Sequence, residues 1–183
     1  MAARPDAHVA LLRGINLGKR RIPMPELAEI FADAGCVDVR TYIASGNVVY
    51  RAGAKLAARI PDLVGSAIAG GYGFECPVVI RSAAELDAVV LGNPFAKEAA
   101  KEPKSVHVTF LRDRPARGKV AALDPDRSPP DTFVVEGREV YLHLPNGAAD
   151  TKLTNAWLDS TLGTVSTGRN WRTVLKLQEM LGE

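Results

Sequence analysis

Apolar and polar positions alternate along this chain in two repeating arrangements. Val9-Ala10-Leu11-Leu12 is apolar on both faces of an extended segment, which predicts a buried strand over about 8–13. A helix follows over about 25–34, with Pro25 near its start, Glu26 in the first turn and Gly35 just past its end. Two β-rich runs, 38–44 and 47–51, flank Ser45-Gly46-Asn47, a tight hairpin signal. A helix over about 60–69 opens at Pro61 and is expected to end at Gly70-Gly71, before a strand over about 75–81. The order is β-α-β-β-α-β, the ferredoxin-like pattern.

Ser82 and Glu85 form a capping box for a connecting helix over about 83–91, which Asn93-Pro94 stops. The polar segment Lys97–Lys104 reads as a linker. The order then recurs: strand Val106–Arg112, helix Ala116–Leu123, a hairpin of Asp131–Glu136 and Glu139–Leu144 across Gly137-Arg138, helix Lys152–Leu162, an extended piece at Thr164–Thr167, and a final helix over about 171–181. Val9–Arg13 matches Val108–Arg112, and Thr41-Tyr42-Ile43 matches Thr132-Phe133-Val134. The expected class is α+β: two tandem ferredoxin-like (βαββαβ) subdomains with mainly antiparallel sheets. The first spans 1–96 with the connecting helix, the second 97–183. Alternation of Val106, Val108 and Phe110 with His107 and Thr109, and of Val140 and Leu142 with Tyr141 and His143, predicts one wetter face on the second sheet.

Topology directs attention to one edge. Right-handed crossovers set strands one and two in the same direction. The loop leaving strand one, the Ser45-Gly46-Asn47 turn and the segment leading into strand four therefore share an edge. Arg13, Gly14 and Asn16 are expected beside Ser45 and Asn47, with Gly70–Gly73 alongside. Glycines admit close approach of a ligand to backbone N–H groups, and arginine offers a fork for phosphate or carboxylate. In the structural alternative, Asn16 and Asn47 bond their own turns and Arg13 pairs with an acid such as Glu26. Lys19-Arg20-Arg21 reads as a solvated run. Arg169 and Asn170 form a second candidate, with Asn170 as the N-cap of the last helix and Arg169 beside its exposed N–H groups. Trp171, Val174, Leu177 and Leu181 form an apolar stripe at helical spacing and read as core.

Composition narrows the function classes. The chain has 183 residues, 46% hydrophobic and 24% charged, as in ordinary globular proteins. No apolar stretch approaches the roughly 18 residues of a membrane helix, so no membrane association is expected. Asp6 and His8 interrupt any signal-peptide pattern, and the two cysteines, Cys36 and Cys76, suggest no disulfide framework, so the expected compartment is the reducing cytoplasm. A net charge of +2 does not support non-specific nucleic-acid binding, and with 6% aromatics no RNA-recognition strand is present. Zinc-protease, P-loop, nucleophile-elbow and Cys-x-x-Cys motifs are absent, and no metal or cofactor is implied. His107 and His143 read as surface or hydrogen-bonded histidines, and Cys36 as a small core residue.

Leu11–Asn16, Thr41–Tyr50, Asn93-Pro94-Phe95, Thr151-Lys152-Leu153 and Thr167–Val174 together resemble the domain-of-unknown-function 1697 family, in order and over nearly the whole chain. The resemblance implies two ferredoxin-like α+β subdomains and brings no catalytic residue or cofactor. Lys19 stands where the family usually has a second glycine, and Ala44 where it has Gln. The leading expectation is a protein that binds a small anionic ligand, a nucleotide or phosphorylated metabolite, at the loop edge, through Arg13, Asn16, Ser45, Asn47, Arg169 and Asn170. The alternatives are an RNA or single-stranded nucleic-acid module, an enzyme of unknown reaction class and a protein–protein module.

Overall fold

A computed structural model describes residues 5–183. The chain divides into two compact units. One runs up to Asp87 and takes in Leu177–Glu183; the other is Ala88–Lys176. The border between these compact units lies inside the connecting helix, and the last seven residues count with the first unit. One reason is Arg40, whose guanidinium donates to the Met180 carbonyl at 2.6 Å and pairs with Glu183.

The first unit holds β1 (Asp6–Leu12), α1 (Met24–Asp33), β2 (Val37–Tyr42), β3 (Asn47–Ala52), the one-turn α2 (Ala54–Ala57), α3 (Ile60–Tyr72), β4 (Val78–Ser82) and the start of α4 (Ala83–Leu91). Its strands form one antiparallel sheet in the order β2-β3-β1-β4. The central strand β1 is buried on both faces, as its unbroken apolar run requires. His8, Ala10 and Leu12 share a face with Tyr50 and Val48 through the β1–β3 register. Leu27 and Phe31 of α1 and Ile60, Val64 and Ile68 of α3 pack into the same core. Their i, i+4 spacing places each pair on one helix face. α3 runs past Gly70-Gly71 to Tyr72 and ends at Gly73, whose left-handed φ of +75° closes the last turn with an N–H donated to Ala69. Gly70 and Gly71 are thus part of the helix.

The second unit contains the end of α4, α5 (Ala96–Lys101), β5 (Val106–Leu111), α6 (Arg117–Ala121), β6 (Thr132–Glu136), β7 (Glu139–His143), α7 (Asn155–Leu162), β8 (Ser166–Asn170) and the first half of α8 (Trp171–Gly182). Its sheet is antiparallel in the order β6-β7-β5-β8. The expected linker is structured instead, as α5 and a 3-10 turn at Pro103–Ser105. The expected wet face is also absent. Register pairs Val106 with His143 and Val108 with Tyr141, while His107 pairs with Leu142 and Thr109 with Val140. Polar positions are therefore divided between the two faces. Tyr141 is buried and donates its hydroxyl to the Val89 carbonyl at 2.9 Å, and Phe95 packs on His143 at 5.7 Å between ring centres. The residues between the two repeats thus cover this side of the sheet.

The two units match in register as well as in order. Val9 opposes Arg81 as Val108 opposes Arg169. Each arginine is buried and donates to the carbonyl just before it at 2.8 Å, Arg81 to Ile80 and Arg169 to Gly168. The next residue caps a helix in each unit: Ser82 Oγ accepts from Glu85 N at 3.2 Å, and Asn170 Oδ1 from Thr173 N at 3.0 Å. The reciprocal bond from Ser82 N to Glu85 completes the capping box.

The Tyr50 hydroxyl is buried against Phe31 with no hydrogen-bond partner among the described residues. Burial pushes this phenol upward, as does the nearby Cys36, whose own thiol burial raises to about 11. A buried donor without a partner costs about 1–3 kcal/mol. Tyr50→Phe is therefore expected to raise stability by roughly 1 kcal/mol in urea unfolding, with an unchanged slope; a loss of 1 kcal/mol would show that the hydroxyl has a partner.

Candidate functional site

At the exit of β1 the expected loops do converge. Leu12 N donates to Gly46 O at 2.8 Å and Arg13 N to Pro77 O at 3.0 Å. The strand-end backbone thus ties together the β2–β3 turn and the approach to β4. Gly46 sits at φ +82°, and a Cβ there would lie 2.8 Å from Leu12 Cβ and 3.1 Å from Ile15. Only glycine fits both the conformation and the space.

Asn16 locks the next layer. Its side chain donates to Ala44 O at 2.8 Å and accepts from Ile22 N at 3.0 Å, bridging the two loops. Asn47, fully buried, donates to Tyr42 O and to Ser45 Oγ, each at 3.0 Å. These bonds use the amide groups to shape the turns. Arg13 is half-buried, and its carbonyl accepts the Cys76 thiol at 3.6 Å. The Glu26 carboxylate accepts the Tyr72 hydroxyl, a bond that pushes the phenol up to about 12.

The basic triplet is more ordered than its sequence suggests. Arg21 donates Nε to Gly18 O at 3.0 Å and Nη1 to Asn16 O at 3.4 Å. The Arg20 guanidinium lies 5.7 Å from the Phe74 ring centre and against Gly14. Beside them is an open depression of about 320 Å³, lined by Asn16, Arg21, Ile22, Pro23, Met24 and Ala44. Left-handed backbone concentrates here, at Gly14, Asn16, Gly18, Ile43 and Gly46. Ile43, β-branched, exposed and at φ +47°, is strained.

The structure therefore brings Arg13, Asn16, Ser45 and Asn47 to one edge of the first unit. Arg169 and Asn170 belong to the second unit. Arg169 is buried and donates to Thr167 Oγ1 as well as to Gly168 O, both at 2.8 Å, and Asn170 caps α8.

A model of the family described as proteins of unknown function (DUF1697) matches residues 6–141. The chain belongs to the DUF1697 family. No curated protein matches it. A solved structure of a conserved bacterial protein, SP0830 from Streptococcus pneumoniae, is similar to it with a TM-score of 0.71 at 21% identity, covering 99% of this chain and 100% of that one. At that identity the likeness speaks to the fold alone.

Two absences hold among the described residues of this DUF1697 protein. No three His, Cys, Asp or Glu side chains gather as a metal site, and no helix is long and apolar enough to cross a membrane. His107 is mostly buried, which pushes its pKa down, and its Nδ1 has no hydrogen-bond partner among the described residues. The second unit repeats the loop edge with different residues: Leu111 N donates to Arg138 O and Arg112 N to Val165 O, each at 2.8 Å. Loop composition alone points only to the first edge; the match of Val9–Arg13 to Val108–Arg112 carries it into the second.

Gly46→Ala adds a left-handed strain of about 1–2 kcal/mol and an overpacking cost of about 1–3 kcal/mol. A loss of roughly 3 kcal/mol in urea unfolding is expected, and a loss under 1 kcal/mol would mean that the turn relaxes freely away from Leu12.

Proposed function

We propose that this chain binds a small anionic ligand, a nucleotide or a phosphorylated metabolite, at the loop edge of the first unit. The observation that carries this reading is the restraint on Arg20 and Arg21. An exposed arginine in a solvated run loses side-chain entropy when it grips an anion, whereas Arg21, already tied to Gly18 O and Asn16 O, loses less. The Arg21 guanidinium borders the depression, with Arg20 held nearby over Phe74, and a guanidinium presents a donor fork to phosphate or carboxylate. In this reading Arg13, Arg20 and Arg21 contact the ligand. Asn16, Ser45 and Asn47 hold the loops, since both asparagine amides are committed to them. Arg169 and Asn170 then serve to fix the β8–α8 junction.

We also read both units as ferredoxin-like and as a duplication, supported by the strand order and by the Arg81 and Arg169 correspondence. The buried thiols of Cys36 and Cys76 are in keeping with a reducing, cytoplasmic location.

The test is a titration with inorganic pyrophosphate and with ADP, followed by 1H–15N spectra. Saturable shifts of the amides in 14–21 and 44–46 are expected, and Arg13→Ala or Arg21→Ala should weaken them at least about tenfold with the melting temperature retained. Absence of saturable shifts there, or an unchanged Kd in both folded variants, contradicts the reading.

A further inference from the structure

The second unit carries a separate basic recess at its own loop edge. Four basic residues, Arg112, Arg114, Arg117 and Lys119, stand against one acid, Asp113, within eight positions of a chain whose whole net charge is +2. They are not equivalent. Arg112 pairs with Asp113 at 3.2 Å, and that carboxylate also accepts the Thr164 hydroxyl at 3.0 Å. Both bonds hold the Asp113 carboxyl below the usual carboxylate range. Lys119 lays its ammonium against Gly163, the left-handed residue that closes α7, where carbonyl groups favour a cation. Arg112 is therefore taken up by an ion pair, and Lys119 packs against the end of α7. The guanidinium groups of Arg114 and Arg117 make no hydrogen bond or ion pair among the described residues.

Arg114 and Arg117 line a recess of about 350 Å³ whose apolar wall includes Pro115, Val120 and Val135, with Glu136 at the β6–β7 turn completing it. The volume is at the lower end of the range for small-ligand pockets. From this combination we infer that the recess is a second binding site, for a small phosphorylated molecule that also carries a hydroxyl or amino group. The two unused forks take the phosphate oxygens. The apolar wall takes the carbon frame, and the Glu136 carboxylate accepts a hydrogen bond from the hydroxyl or amine. Glu136 also decides between ligand classes. A carboxylate in the recess repels a continuous phosphate backbone, which selects a small phosphate ester over a nucleic-acid strand. The site shares no residue with the first edge and does not depend on it.

The test is residue-resolved and uses the whole chain. Pyrophosphate and a sugar phosphate such as ribose 5-phosphate are titrated separately while amide shifts are followed at 114–120 and 135–138. Saturable shifts are expected for both. The double variant Arg114→Ala/Arg117→Ala should lose them at least tenfold, while Arg21→Ala should leave them unchanged. Glu136→Gln should keep pyrophosphate binding and weaken the sugar phosphate severalfold relative to it. All four side chains are exposed, and a retained melting temperature shows that the variants fold. Shifts that fail to saturate, that persist in the double variant, or that a single-stranded oligonucleotide produces more strongly than the sugar phosphate overturn the inference.

Discussion

The structure rests on a backbone clamp at the exit of each central strand. At β1, Leu12 and Arg13 donate successive N–H groups to Gly46 and Pro77; at β5, Leu111 and Arg112 donate theirs to Arg138 and Val165. Successive amides of an extended chain point in opposite directions, so one strand end holds the hairpin turn on one side and the approach to the fourth strand on the other. Each unit's loop edge is built on this clamp. Where the first clamp closes, Gly46 meets Leu12 so closely that a side chain there has no room.

What stands above the clamp differs between the units. The first edge uses side-chain amides and left-handed residues: Asn16 bridges two loops, Asn47 is fully buried within its turn, and Ile43 is held in a strained conformation. The loop that results orients Arg20 and Arg21. The second edge uses charge. Arg112 and Lys119 are taken up by Asp113 and by the end of α7, which leaves Arg114 and Arg117 beside a recess. One topology thus supports two edges with different chemistry, as expected when function resides in loops placed on a common scaffold.

Much of the fold was legible because its local signals agree with its tertiary contacts. The both-face apolar run of β1, the Ser82–Glu85 capping box, Asn170 as a cap and the Trp171, Val174, Leu177 and Leu181 stripe all stand as the sequence implies. The failures share a cause: they depend on pairing or packing that no short window contains. Alternation within β5 and β7 says nothing about which residues share a face, because that depends on the register between strands. Gly70 and Gly71 read as a stop, yet α3 continues one further turn because Gly73 supplies the left-handed cap. The polar segment 97–104 lacks a strong periodic signal and forms helix within the second unit. At the site, the convergence of loops followed from topology, and Asn47 braces its own turn as the structural alternative held, but the reach of Asn16 across to a second loop did not follow. Bonds from Asn16 to Ala44 span 28 positions and arise only once the sheet has formed. Arg114 and Arg117 are not legible as a site in the sequence, because a loop with mixed charges carries no signature until its neighbours are known.

The clamp is open to direct measurement by native-state amide hydrogen exchange. Arg13 and Arg112 lie one residue beyond their strands, where loop amides ordinarily exchange fast. If the clamp holds, both are protected to within about tenfold of Val9 and Val108 and exchange with the sheets they terminate. Exchange of Arg13 or Arg112 at the rate of the open loops, with Val9 and Val108 still protected, would contradict the account.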